Sequence, residues 1–373
     1  MATALLLHDE IDLTLSTMTK TTNLIPPVGF GTARLKGQEC ESAVSIAIQS
    51  GYRHFDCAQF YGNEVHVGKA LVSAIESKKV KRDEFFITSK CWNDRHRQKD
   101  VWQSCQQTIK DLGIGYLDLY LIHWPVAWVK GTAGCPDFGV TIMETWRAME
   151  KLVDQGLVKS IGVSNFGPKR LTKLLQEARI PPLANQLELH PYLSQTKLVE
   201  FCSFHNIQCV AWSPLAKFSS RLCHHPVILQ IAKQIGYSPS QVILRWNIQR
   251  GVAVIPRSSS QNHIEENLKT SELQLSQDDM NLISDLDQHK RIFPDLVGVF
   301  EETTFFPYHI IGYLANTIGV LVWMIIPHVF DFSNPQYSMW EIFAWKEKIR
   351  WADQLRIGVI LLGASVGVCR FFQ

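Results

Sequence analysis

Between about Val28 and Asp287 the chain alternates short apolar runs with longer stretches whose apolar residues recur every three or four positions. The short runs read as strands buried on both faces: Val28–Thr32, His54–Ala58, Phe85–Lys90, Leu117–His123, Val158–Asn165, Leu183–Leu189, Gln208–Leu215 and Ala253–Arg257. The longer stretches read as amphipathic helices. Met143, Trp146, Ala148, Met149 and Leu152 share one helical face, as do Val242, Ile243 and Trp246. Gly51, Gly113, Gly156 and Gly251 fall where a helix gives way to the next strand, the position at which a left-handed cap favours glycine.

Eight strand–helix units within about 260 residues predict an α/β fold of the (β/α)8 TIM-barrel type, assigned to residues 1–292. A doubly wound sheet also alternates, but its first turn requires a glycine-rich phosphate loop. Here Gly29-Phe30-Gly31-Thr32 runs into Ala33-Arg34-Leu35-Lys36-Gly37, which lacks the GxGxxG spacing. The pattern favours the barrel.

After the barrel count is complete the character changes, and residues 293–373 read as a C-terminal extension. Thr303 to Phe330 contains no Asp, Glu, Lys or Arg. As a helix, Phe305–Val329 would be about 37 Å long, enough for a hydrocarbon core of about 30 Å. It is the predicted transmembrane segment, with a helical hairpin packed on the barrel as the alternative. A second apolar run, Ile357–Cys369, is short, and the readings of it as re-entrant, interfacial or a second crossing stay open. Lys290 and Arg291 precede the first segment while Lys346, Lys348 and Arg350 follow it, so flanking charge does not fix topology.

Composition narrows the classes. The net charge of +2 over 373 residues, with scattered Lys and Arg, excludes a basic stripe that would track nucleic acid. Nine cysteines, widely spaced and without a CxxC pair, argue against a disulfide framework or structural zinc. Cys223-His224-His225 are adjacent residues, which rarely converge on one ion, so no metal is expected. The apolar stretch of the N-terminus is too short for an export signal. Together these predict a cytoplasmic catalytic domain held to an intracellular membrane by its C-terminus.

Four polar residues lie at or just past successive strand ends: Asp56, Tyr61, Lys90 and His123. In a (β/α)8 barrel those ends share the face that carries the active site. Their chemistry is coherent. A carbonyl reduced by hydride needs a proton on oxygen, and a tyrosine, ordinarily with a pKa of about 10, needs help to give one. A neighbouring ammonium, Lys90, would make Tyr61 the better acid, Asp56 would hold that lysine, and His123 would align the carbonyl oxygen.

The segment Phe55-Asp56-Cys57-Ala58-Gln59-Phe60-Tyr61-Gly62-Asn63-Glu64 resembles the signature of the aldo-keto reductases. So do Leu121-Ile122-His123-Trp124-Pro125, Ile161-Gly162-Val163-Ser164-Asn165-Phe166, Trp212-Ser213-Pro214-Leu215 and Ile255-Pro256-Arg257-Ser258. The Val80-Lys81-Arg82 turn and Glu144-Thr145-Trp146 look most like aldose and xylose reductases. The resemblance covers about Ile25 to Arg291 and implies NADPH bound extended across the barrel mouth. It makes Asp56, Tyr61, Lys90 and His123 the catalytic tetrad, with His123 and Trp124 also on the substrate side. It gives Ser164, Asn165 and Gln186 to the nicotinamide carboxamide, and Trp212, in place of the usual Tyr, to the nicotinamide ring. Ser213, Leu215, Arg257, Ser258, Glu266 and Asn267 match positions around the pyrophosphate and adenosine.

Three departures stand out. His263 replaces the usual Arg at the 2′-phosphate, and Arg257 replaces a Lys there; His263 lacks a permanent charge, so use of NADH beside NADPH is expected. Ala33 replaces a Trp that commonly walls the substrate pocket. The usual substrate-covering loop gives way to unrelated sequence after about Phe293. The expected function is NAD(P)H-dependent reduction of an aldehyde or ketone, of a sugar or of a lipophilic carbonyl. A cofactor-sensing regulatory subunit of a membrane protein is the alternative.

Overall fold

The computed structural model describes residues 25–132, 135–217 and 221–293. The predicted spans at 305–329 and 357–369 lie outside the described residues. Among the described residues, no helix is long and apolar enough to cross a membrane.

Eight parallel strands follow one another in sequence order around a single sheet: β1 (Phe30–Gly31), β2 (His54–Asp56), β3 (Phe86–Cys91), β4 (Leu117–Ile122), β5 (Val158–Ser164), β6 (Ala184–Glu188), β7 (Gln208–Trp212) and β8 (Ala253–Val254). The sheet closes on itself. Val28 bridges Val254 in parallel, Gly29 N–H donates to Val254 O at 2.8 Å, Val254 N–H to Pro27 O at 2.8 Å and Gly31 N–H to Pro256 O at 3.0 Å. At this seam a Cβ on Gly31 would lie 2.7 Å from the Ile255 carbonyl oxygen, so only glycine permits the approach.

Helices α1 (Gly37–Ser50), α2 (Glu64–Glu76), α3 (Gln98–Leu112), α4 (Ile142–Asp154), α5 (Pro168–Glu177) and α6 (Thr196–Phe204) each follow one strand. α7 (Pro226–Ile235) and α8 (Pro239–Gln249) both follow β7, and α9 (Gln261–Leu268) and α10 (Gln277–Ser284) follow β8. α4 shows how local sequence sets these bounds. Thr141 accepts the Glu144 backbone N–H while the Glu144 carboxylate accepts that of Thr141, a reciprocal cap, and Trp146, Met149 and Leu152 are buried. The four cap glycines read from the sequence all adopt positive φ.

Among the described residues the core comprises two layers at the sheet and a further cluster around α7, α8 and α10. Leu119, Leu121, Ala184, Val210, Ala253 and Ile255 fill the barrel, with Ile25 held through its backbone by the Gln208 amide. Phe55, Ile87, Tyr120, Ile122, Ile161, Val163 and Leu187 belong to the layer between sheet and helices. Burial of both faces explains why the strands read as continuous apolar runs.

The predicted strands run longer than the observed ones at the exits that carry chemistry. β5 stops at Ser164 because Asn165 turns to φ 63°, and β7 stops at Trp212 because Ser213 turns to φ 48°. Cys223 and His225 have local partners: the Cys223 thiol lies 4.0 Å from the Ser240 hydroxyl, and His225 Nδ1 accepts the Val227 N–H at the start of α7.

Candidate active site

Parallel pairing places Asp56 of β2 level with Thr88 of β3, and Lys90 level with Leu121, one of the barrel-filling residues. His123 lies just beyond β4, its backbone N–H donating to Cys91 O at 3.1 Å. Tyr61 closes the 3-10 turn Gln59–Tyr61, which ends at Gly62 with φ 65°. Short exits from three neighbouring strands thus deliver four side chains to one spot.

Lys90 sits at the centre, wholly buried at 0% exposure. Its ammonium donates to Asp56 Oδ1 at 2.6 Å, to the Cys57 carbonyl at 2.8 Å and to Tyr61 Oη at 3.3 Å. An ammonium has three N–H groups, and all three are engaged. The second Asp56 oxygen accepts Gln186 Nε2 at 2.7 Å, while Thr32 Oγ1 holds the Asp56 backbone carbonyl at 2.9 Å.

The electrostatics follow from this packing. Burial alone would lower the Lys90 pKa, but Asp56 and Tyr61 outweigh it and hold the ammonium above the ordinary lysine range. For Tyr61 the balance departs from the sequence expectation. Burial raises the phenol pKa more than Lys90 lowers it, and the net displacement is upward. Lys90 therefore offsets a desolvation penalty instead of creating an acidic phenol. Burial, assisted by the Lys90 charge, pushes His123 well below the ordinary histidine range, so it is a neutral imidazole near pH 7.

Aromatic rings surround His123: Tyr61 at 6.1 Å between centroids, Trp92 edge-on at 4.9 Å, and Trp124 nearly parallel at 6.4 Å.

The residues assigned to the carboxamide form a connected set. Ser164 Oγ donates to Gln186 O at 2.8 Å, and Asn165 Nδ2 reaches Ser164 Oγ and His123 O, each at 3.1 Å. Trp212 Nε1 donates to Asn165 Oδ1 at 3.0 Å, which fixes the indole beside them. Beyond it Ser213, Ala216 and Lys217 all take left-handed backbone, at φ 48°, 52° and 48°. Such conformations cost about 1–3 kcal/mol each for non-glycine residues and concentrate where a ligand is gripped. Leu215 is partly buried, packed against both the main core and the cluster around α7 and α8.

At the far side Ser258 is buried and its hydroxyl accepts the Ser260 N–H at 3.0 Å, just before α9 begins. Arg257 and His263 are exposed, and Asn267 is buried. The Glu266 carboxylate accepts the hydroxyl of Ser238, the N-cap of α8.

Several parts of the site were not foreseen. The Cys57 carbonyl that holds Lys90 is backbone and leaves no side-chain signal. Phe60 and Trp92 stack with centroids 3.8 Å apart and planes at 14°. Their signal was position, since Phe60 precedes Tyr61 and Trp92 follows Lys90 by two. Phe293 packs edge-on against Trp212 at 5.0 Å and lies under Lys217 Nζ at 3.7 Å. Just before it, Ile292 N–H donates to the buried Glu188 at 2.7 Å, and Glu188 pairs with His190 at 3.1 Å.

An indole face, a hydroxyl and amide cluster, and a cation with serines at a helix start suit the aromatic ring, amide and phosphates of a pyridine dinucleotide. A (β/α)8 barrel with this mouth defines a nicotinamide-dependent carbonyl oxidoreductase.

Residues 27–288 match the model of the aldo/keto reductase family. Aldose reductase C of Dictyostelium discoideum is 43% identical over 283 residues, 72% of this chain and 88% of that protein. The NADH-dependent D-xylose reductase of Candida parapsilosis is 42% identical over 293 residues, 72% of this chain and 90% of that one. The structure of the aldose reductase from Schistosoma japonicum superposes with a TM-score of 0.71 at 39% identity, covering 75% of this chain and 96% of that one. The chain belongs to the aldo/keto reductase family. It is an NAD(P)H-dependent oxidoreductase that reduces aldehyde or ketone carbonyls to alcohols, and this displaces the reading as a cofactor-sensing subunit.

Proposed function

We propose that Tyr61 is the proton donor of this reduction, with Lys90, Asp56 and His123 as its supporting groups. The observation that carries the reading is the chain of contacts Asp56–Lys90–Tyr61, at 2.6 and 3.3 Å, with Lys90 wholly buried. A nicotinamide held by Ser164, Asn165, Gln186 and Trp212 would supply the hydride to the carbonyl carbon. The Tyr61 hydroxyl then gives its proton to the carbonyl oxygen. The Lys90 ammonium stabilises the phenolate left behind, which it already faces, and Asp56 keeps that ammonium charged and aimed. Neutral His123 can donate one N–H to the carbonyl oxygen and hold it in line.

Ser164, Asn165 and Gln186 are the proposed carboxamide contacts, and Trp212 the ring platform. Ser213, Leu215, Ser258 and Asn267 would line the rest of the cofactor, with Arg257 on its phosphate and His263 beside it. Glu266, one of whose oxygens accepts Ser238, has its second oxygen left to join this set. NADPH is the expected cofactor, with NADH also accepted because His263 carries no fixed charge. Trp124, parallel to His123, lines the substrate side.

The barrel to residue 292 is proposed as a cytoplasmic catalytic domain, and residues 293–373 as its anchor to an intracellular membrane. The charge-free run Thr303–Phe330 supports the anchor.

Tyr61→Phe tests the central assignment. It is expected to retain cofactor binding, read by tryptophan quenching, and to lose carbonyl reduction. Turnover above about a tenth of wild type would overturn it, since a general acid contributes ~10²–10⁴-fold.

A further inference from the structure

Tyr61 must hold its hydroxyl at the reacting oxygen, yet it stands in a loop. That hydroxyl meets Lys90 at 3.3 Å, the longest of the three contacts the ammonium makes. Three side chains pin the 3-10 turn that carries it. Gln59, at the start of the turn, accepts the Ser104 hydroxyl of α3 at 2.8 Å. Asn63, two residues past Tyr61, donates through Nδ2 to the Thr32 and Leu35 carbonyls at 2.8 and 2.9 Å. Glu64, the first residue of α2, is 4% exposed, and its two oxygens serve different elements. Oε1 accepts the hydroxyl of Ser89 on β3 at 2.6 Å, and Oε2 that of Thr108 on α3 at 3.0 Å.

Of these three side chains, Glu64 is the one that reaches β3, the strand that carries Lys90. Ser89 immediately precedes Lys90, and strand alternation sends the two side chains to opposite faces. Ser89 is level with Tyr120 of the layer between sheet and helices, and Lys90 with Leu121 of the barrel filling. A bond made outside the sheet therefore ties the tyrosine turn to the backbone of the lysine that meets Tyr61 inside it. Burial pushes the Glu64 carboxyl above the ordinary carboxylate range, while its bonds to Ser89 and Thr108 act the other way. What the two hydroxyls ask of this side chain is acceptor oxygen, which a neutral amide also carries.

We infer that Glu64 is a positioning residue for proton transfer, holding the Tyr61 turn against β3 through Ser89 so that the phenol keeps its contact with Lys90. The inference rests on the assignment of Tyr61 as proton donor. Glu64 acts on the chemical step and not on cofactor binding, because the proposed carboxamide, ring and phosphate contacts lie at the exits of β5 to β8.

The test uses the full chain and reads three quantities: the single-turnover rate of NADPH oxidation with glyceraldehyde, NADPH affinity by tryptophan quenching, and thermal unfolding. A single turnover keeps slow product release from masking the chemical step. Glu64→Ala and Ser89→Ala are each expected to slow that rate by about tenfold or more, since a 1 Å misplacement of reacting groups costs ~10²-fold. NADPH affinity should be unchanged in both. Glu64→Gln keeps an acceptor for Ser89 and can donate to the Thr108 hydroxyl, so it should restore the rate. Thr108→Val removes the α3 contact alone, and should lower the melting temperature while leaving the rate in place. A wild-type rate in folded Glu64→Ala overturns the inference, as it does in Ser89→Ala where the first variant fails to fold. Equal slowing by Thr108→Val and Ser89→Ala, or no recovery in Glu64→Gln, also overturns it. Tyr61→Phe keeps the two readings apart. Its reaction at the wild-type rate refutes the proton-donor assignment and this inference with it, whereas an inactive Tyr61→Phe beside a fully active Glu64→Ala refutes the positioning role alone.

Discussion

Replacing Asp56 by Asn removes the one carboxylate that compensates a fully buried ammonium. Lys90 is 0% exposed and Asp56 1% exposed, so the pair is out of water on both sides. The Asn amide keeps the size of the side chain and an acceptor oxygen for Lys90, but it removes the counter-charge and turns an NH2 group toward Gln186 Nε2, which donates to Asp56 in the wild type. Breaking a buried pair in this way costs about 3–5 kcal/mol. For a domain of this size, that corresponds to a fall in the melting temperature of roughly 6–20 °C.

The sign with pH is a second check. In the wild type the Lys90 pKa is raised above 10.5, so its stabilisation is fully present below that value and is lost only as pH rises through the folded pKa. In Asp56→Asn the burial penalty is unopposed by a carboxylate, and the folded pKa falls below the unfolded one. The unfolded chain then binds more protons at neutral pH, so the variant should gain stability relative to wild type as pH rises toward 9. Adding Lys90→Met removes the stranded charge, and the double variant is expected to recover most of the loss. Thermal unfolding followed by tryptophan fluorescence, in mild detergent, measures all four members of the cycle. A coupling energy between the two substitutions of less than about 0.5 kcal/mol would refute the reasoning, since residues in contact couple by about 0.5–3 kcal/mol.

Three further outcomes follow. His263→Arg should sharpen preference for NADPH over NADH by roughly 1–2 kcal/mol, read from the ratio of kcat/KM values; a wild type that already rejects NADH strongly would contradict this. Burial holds His54 and His96 neutral, each with its pKa lowered from 6.5 to about 4. Stability from these depressed values is present above pH 6.5 and lost toward pH 4, so the pair should cost about 3–4 kcal/mol between pH 7 and 5, and a urea midpoint that does not fall counts against it. The full-length protein should sediment with membranes and a chain ending near residue 295 should not; recovery of the full chain in the detergent-free supernatant would remove the proposed anchor.

What the sequence disclosed depended on range. Strand and helix rhythm, the cap glycines and the four tetrad positions are carried by residue type at short spacing, and they were legible as such. The outcome for Tyr61 was not. Two opposing effects act on its phenol, and which one wins depends on burial that only the packed mouth fixes. The Glu266–Ser238 contact was equally hidden, because it joins α9 to the start of α8 through side chains that match their family positions individually. Phe60 looked like one more apolar residue in a motif. Its stacking on Trp92 requires the β2 and β3 exits to lie side by side.

The seam between β8 and β1 also bears on how this chain comes to be folded at all. Its two strands are short, and the hydrogen bonds that join them connect residues from opposite ends of the barrel sequence: Gly29 with Val254, and Gly31 with Pro256. A nascent chain that has not yet released Ala253–Val254 holds β1 and β7 as open edges, each a template for a strand from another molecule. Closing that ring requires a long loop to be organised first, which slows the step relative to local helix formation. Once the last strand docks, both edges vanish together, and the hazard of edge-to-edge association ends with a single pairing event.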